Sequence, residues 1–61
     1  MSIRDMRLRA DMSQAELAEK IGVTQHTVSD WEAGKIHPRV GRLMGLSKIL
    51  DCSVEELVEG E

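Results

Sequence analysis

Gln25, His26, Ser29 and Asp30 bring a carboxamide, an imidazole, a hydroxyl and a carboxylate into one short stretch of the chain. These groups suit hydrogen-bonded recognition. Glutamine donates and accepts through its carboxamide, serine does both through its hydroxyl, a carboxylate accepts, and histidine donates or accepts according to its tautomer. Catalysis asks for something else, and it is missing: no glycine-rich loop follows a strand, and no serine or cysteine nucleophile has a placed base. The expectation is therefore no enzyme and no catalytic residue. His26, His37 and Cys52 are too few for a closed zinc site and fall on separate elements, so neither a metal nor another cofactor is expected.

Spacings of three and four recur throughout, and no stretch alternates apolar and polar residues long enough for a strand. The chain reads as all-α. Ser2 opens a first helix whose one face holds Ile3, Met6, Arg7 and Ala10; Arg7 interrupts an otherwise apolar stripe and needs a partner. Ser13-Gln14-Ala15-Glu16 is a capping box that starts a second helix, with Leu17, Ala18 and Ile21 inward. Gly22 stands where a left-handed residue commonly ends a helix, so the turn is Gly22-Val23. Thr24 is a new N-cap, Val28 and Trp31 share a face, and Gly34 is the next stop, which predicts a short third helix from Gln25 to about Ala33. Trp31 is read as core rather than as a base-stacking platform.

Leu43, Leu46 and Leu50, with Val40 one turn earlier, predict a fourth amphipathic helix. Gly41 and Gly45 weaken it, and the sequence leaves open whether they serve close packing or are merely tolerated. Ser53-Val54-Glu55-Glu56 repeats the capping-box pattern before Leu57 and Val58, marking a short fifth helix that stops before Gly60. Of the four methionines, which do not line one face, Met6 and Met12 read as core filler, not as a binding groove.

Sixty-one residues allow one modest core and one domain. A single cysteine excludes an intrachain disulfide, and with neither a secretory pattern nor a long apolar run, a cytoplasmic setting without a membrane role fits best. The net charge of −3 argues against a polyanion ligand until its distribution is considered. Met1 to Lys48 carries a balance of +2, whereas Ile49 to Glu61 carries −5 with no base. The acidic end reads as a solvated patch, the other reading being a tail that excludes DNA or recruits a partner.

Two helices joined by a short glycine-containing turn, the second headed by small polar side chains, form the arrangement that sets a recognition helix in the major groove. The residues themselves resemble the Cro/C1-type helix-turn-helix family (lambda and 434 repressor-like, or XRE-type): Arg7, Ser13-Gln14, Glu16-Leu17-Ala18, Ile21-Gly22-Val23-Thr24, Val28, Trp31-Glu32, Gly34 and Pro38. The likeness continues through Leu43, Leu46, Leu50 and Ser53 to Leu57, and it implies a five-helix lambda-repressor-like fold over residues 1–61.

It also implies a structural ion pair between Arg7 and Glu32, which the lone charge in the first stripe demands independently. Carried over position by position, base reading falls on Gln25, His26, Ser29 and Asp30, of which Asp30 either reads a base or sits just outside the groove. Phosphate binding falls on Gln14, Thr24, Thr27 and Lys35. Arg39 and Arg42 join them by a different argument: the family often has a serine-type cap after the proline, and cations there oppose the helix dipole, a mismatch that a DNA phosphate offsets. A solvated basic loop is the competing reading. The function implied is sequence-specific regulation of transcription, a repressor occupying an operator in double-stranded DNA. The alternative is a protein-interaction module on the same fold, an antitoxin, adaptor or anti-repressor. A homodimer is expected, with Leu8, Ile36, Met44, Ile49 and Val58 available for a two-fold contact; no small-molecule substrate is evident.

Overall fold

The computed structural model describes residues 2–59, within which five helices and no strand are found: α1 (Ile3–Arg9), α2 (Gln14–Ile21), α3 (Gln25–Ala33), α4 (Val40–Ile49) and α5 (Val54–Glu59). Local chemistry sets most of the boundaries. Ser2 and Asp5 form a capping box at α1, as Ser13 and Glu16 do at α2. Ser53 and Glu56 exchange the same pair of bonds at α5. Thr24 caps α3 through its hydroxyl, which accepts from the Thr27 amide at 3.2 Å.

Gly22 and Gly34 end α2 and α3 at φ 85° and 76°, the left-handed region that suits glycine. Among the described residues the other two left-handed ones are aspartates, Asp11 after α1 and Asp51 after α4, at φ 58° and 52°. Neither stop was legible as a glycine signal; a short polar side chain tolerates this conformation and substitutes for it. Gly60, the expected stop after α5, and Met1 lie outside the described residues.

The core comprises Ile3, Met6, Leu17, Ala18, Val28, Trp31, Leu46, Leu50 and Leu57, with Met12, Ile21, Val23, Leu43, Ile49 and Cys52 packed at its margin. Every described helix contributes, and Trp31 sits inside as expected. Three expectations change. Ala10 is exposed because α1 ends before completing its last turn, leaving Ala10 as the C-cap. Val40, the first residue of α4, is 71% exposed and lies beyond the stripe. Ile49 is half-buried against the core and is not a free surface residue.

The two glycines of α4 separate cleanly. A Cβ on Gly41 meets nothing within 4 Å, whereas one on Gly45 would stand 2.6 Å from the Ile21 Cδ1 atom. Gly45 thus permits close approach of α2 and α4, and Gly41 is tolerated in open space.

Candidate nucleic-acid interface

Three residues, Gly22, Val23 and Thr24, separate α2 from α3. The left-handed Gly22 reverses the chain, and its amide and that of Val23 both donate to the Ala18 carbonyl at 2.9 and 3.0 Å, closing α2. The next helix therefore leaves at a fixed direction. Val28 and Trp31 bury one side of α3; His26 is exposed on the opposite side with Ser29 and Asp30 half-buried beside it, and Gln25 is exposed at the edge of that face in the first turn. His26 Nε2 lies 3.3 Å from Asp30 Oδ2, one turn away, with the imidazole 85% exposed and the carboxylate 19%. Asp30 is consequently more covered than Gln25 and His26, and Ser29 is half-buried like it.

Behind this face stands a buried polar network. Arg7 donates from Nε to Glu32 Oε2 at 2.7 Å, from Nη2 to Oε1 at 3.1 Å, and from Nη1 to the Met12 carbonyl at 2.8 Å. The two side chains are 9% and 6% exposed. The forked guanidinium thereby ties α1 to α3 and holds the segment leading into α2. Burial favours the protonated form of Glu32, but the hydrogen bonds from Arg7 and Gln14 and the Arg7 charge outweigh it, leaving the carboxyl below its usual range. No buried side-chain nitrogen or oxygen among the described residues lacks a partner.

Gln14, the first residue of α2, donates from Nε2 to Glu32 Oε1 at 3.1 Å. Its phosphate-binding expectation thus acquires a structural companion, because the same carboxamide that would meet a phosphate is tied to the network. Nothing in the sequence signals this bond, since the partners are eighteen residues apart. Arg42 likewise has an unforeseen partner, the carbonyl of Ile21 at the end of α2, to which Nη1 donates at 3.0 Å. A cation there satisfies a terminal carbonyl and complements the negative end of that helix.

Thr24 and Thr27 face each other through hydroxyls 3.0 Å apart at the start of α3. Lys35 is exposed immediately past Gly34, its amide donating to the Asp30 carbonyl at 3.0 Å. Arg39 occupies the N-cap position of α4 with extended backbone and no side-chain cap bond, so α4 begins with a cation where the other described helices have a capping hydroxyl. No group of three or more histidine, cysteine, aspartate or glutamate side chains suited to a metal ion occurs among the described residues. Within the same residues no helix is long and apolar enough to cross a membrane.

A family model described as helix-turn-helix matches residues 3–57. The HTH-type transcriptional activator BcrR of Enterococcus faecalis is 32% identical over 59 residues, covering 97% of this chain and 29% of that protein. Repressor protein C2 of Salmonella phage P22 is 36% identical over 59 residues, covering 97% of this chain and 27% of that protein. The chain therefore spans under a third of the length of either relative. A crystal structure of the P22 c2 repressor in complex with a synthetic operator superposes with a TM-score of 0.88 at 36% identity, over 97% of this chain and 89% of that one.

Proposed function

The chain belongs to the helix-turn-helix family, of the lambda-repressor-like all-α fold, and from that premise we propose that it is a sequence-specific DNA-binding regulator of transcription whose residues 1–61 act as one such unit. The observation that carries this reading is the outward polar face of α3, held by a fold closely similar to that of a repressor crystallised with operator DNA.

Gln25, His26 and Ser29 contact base edges in the major groove, and Gln25, exposed at the head of α3, has the geometry of its type for two bonds to adenine. Asp30 serves the same face through its neighbour His26. Gln14, Thr24, Thr27, Lys35, Arg39 and Arg42 line up along phosphates, with Arg42 also bound to α2. The protein acts as a homodimer on a roughly palindromic operator, its two α3 helices about 34 Å apart. Occupancy blocks or repositions polymerase, which makes the protein a repressor.

The test is selection of bound duplexes from a random library, followed by affinity against salt for the wild type and Gln25→Ala. An enriched palindrome, affinity falling steeply with salt and a lost base preference in the variant support the reading. A protein that enriches no duplex and binds DNA no better than Gln25→Ala does overturns it in favour of a protein-interaction module.

A further inference from the structure

Beside the recognition face an open groove of about 310 Å³ runs between α1, the start of α2 and the middle of α3. It is lined by Arg4, Arg7, Gln14, Ser29, Glu32 and Ala33. Two guanidiniums against one carboxylate give the lining a positive balance. Arg7 and Glu32 consume each other's hydrogen-bonding capacity at the floor, so the outward charge of the groove comes from its rim.

Arg4 is that rim. It is exposed and, among the described residues, makes no ion pair and no side-chain hydrogen bond. It is also the second residue of α1, where the helix dipole disfavours a cation; folding alone selects an acid in that turn, as Asp5 illustrates by closing the capping box. The groove is continuous with the proposed interface, because Gln14 and Ser29 belong to both.

We propose that Arg4 is a DNA-phosphate contact, binding in this groove the backbone phosphate next to the one taken by Gln14. The inference rests on the DNA-reading function and adds to it a contact from α1, outside the helix-turn-helix pair. Arg4 supplies the charge; Gln14, which lines the same groove and is anchored by its bond to Glu32, supplies the neighbouring polar group. Because a phosphate carries no base identity, Arg4 contributes affinity without selecting sequence.

The experiment uses the duplex recovered by selection and measures affinity over a range of salt concentrations for wild type, Arg4→Ala and Arg9→Ala. Arg9 is the control: an exposed arginine of the same helix, lining a different groove beside Asp51. The expected result is binding about tenfold weaker in Arg4→Ala with a salt slope shallower by about one, an unchanged consensus, and an unchanged thermal midpoint. Arg9→Ala stays near wild type. A methylphosphonate scan of the duplex then finds one phosphate whose neutralisation weakens wild type but not Arg4→Ala.

Equal affinity and slope for the two arginine variants, while Gln25→Ala still loses its base preference, overturns the Arg4 contact and leaves the DNA-reading function standing. A changed consensus with an unchanged slope assigns Arg4 to a base edge and overturns the phosphate role. A wild type that enriches no duplex overturns the function and this contact together.

Discussion

Replacing Glu32 with alanine removes both carboxylate bonds of Arg7 and the Gln14 bond in one step, while Arg7 keeps only its bond to the Met12 carbonyl. The guanidinium stays buried with its charge uncompensated. Breaking a buried pair from one side costs about 3–5 kcal/mol, and exposures of 9% and 6% place this pair near the lower end, at about 3 kcal/mol. For a 61-residue chain, total stability of roughly 0.05–0.15 kcal/mol per residue amounts to roughly 3–9 kcal/mol. Glu32→Ala therefore removes between about a third and all of that stability. Urea titration in the cold, followed by the fluorescence of the buried Trp31, measures this; with a slope of about 1 kcal/mol per molar, the midpoint falls by about 3 M. The double variant Arg7→Met/Glu32→Leu separates pair from packing. It recovers most of the lost stability, because an apolar pair of similar size avoids the desolvation that the ions carry. A loss below about 1 kcal/mol in Glu32→Ala, or a double variant no more stable than the single one, refutes the claim that the penalty comes from a stranded charge.

The same carboxyl sets an acid limit: its folded affinity for protons is depressed, so its contribution is present above the unfolded glutamate range near about 4.3 and is lost as pH falls through the lower folded value. Glu32→Gln, which does not titrate, should accordingly show a shallower fall in melting temperature below about pH 4.3 than wild type does. Arg39→Ser supplies the missing hydroxyl cap at α4 and removes a cation from the positive end of that helix, so thermal stability holds or rises while operator affinity drops; unchanged affinity would refute its phosphate contact. Gly41→Ala gains up to about 1 kcal/mol from helix propensity, whereas Gly45→Ala gains less or loses stability because Ile21 Cδ1 must move, a contrast that paired denaturant titrations resolve.

What the linear sequence determined were features whose physics is local. Ser13 with Glu16, Thr24, Gly22 and Gly34 act on backbone groups within one turn, so α2, the intervening turn and the limits of α3 follow from residue order alone. Arg7 announced itself by placing a charge in an apolar stripe, and its partner Glu32 followed from the family resemblance. Tertiary structure decided whatever depends on elements approaching from far along the chain. Gln14 reaches Glu32 only because α2 and α3 converge, Arg42 reaches Ile21 only because α4 crosses the end of α2, and Gly45 differs from Gly41 only because Ile21 lies above one of them. Val40 and Ile49 exchanged their expected surroundings for the same reason: periodicity identifies the apolar side of a helix, but where a neighbour begins and ends determines how much of that side is covered. The groove that brings Arg4 beside Gln14 and Ser29 belongs to this second class, since three helices must meet before it exists.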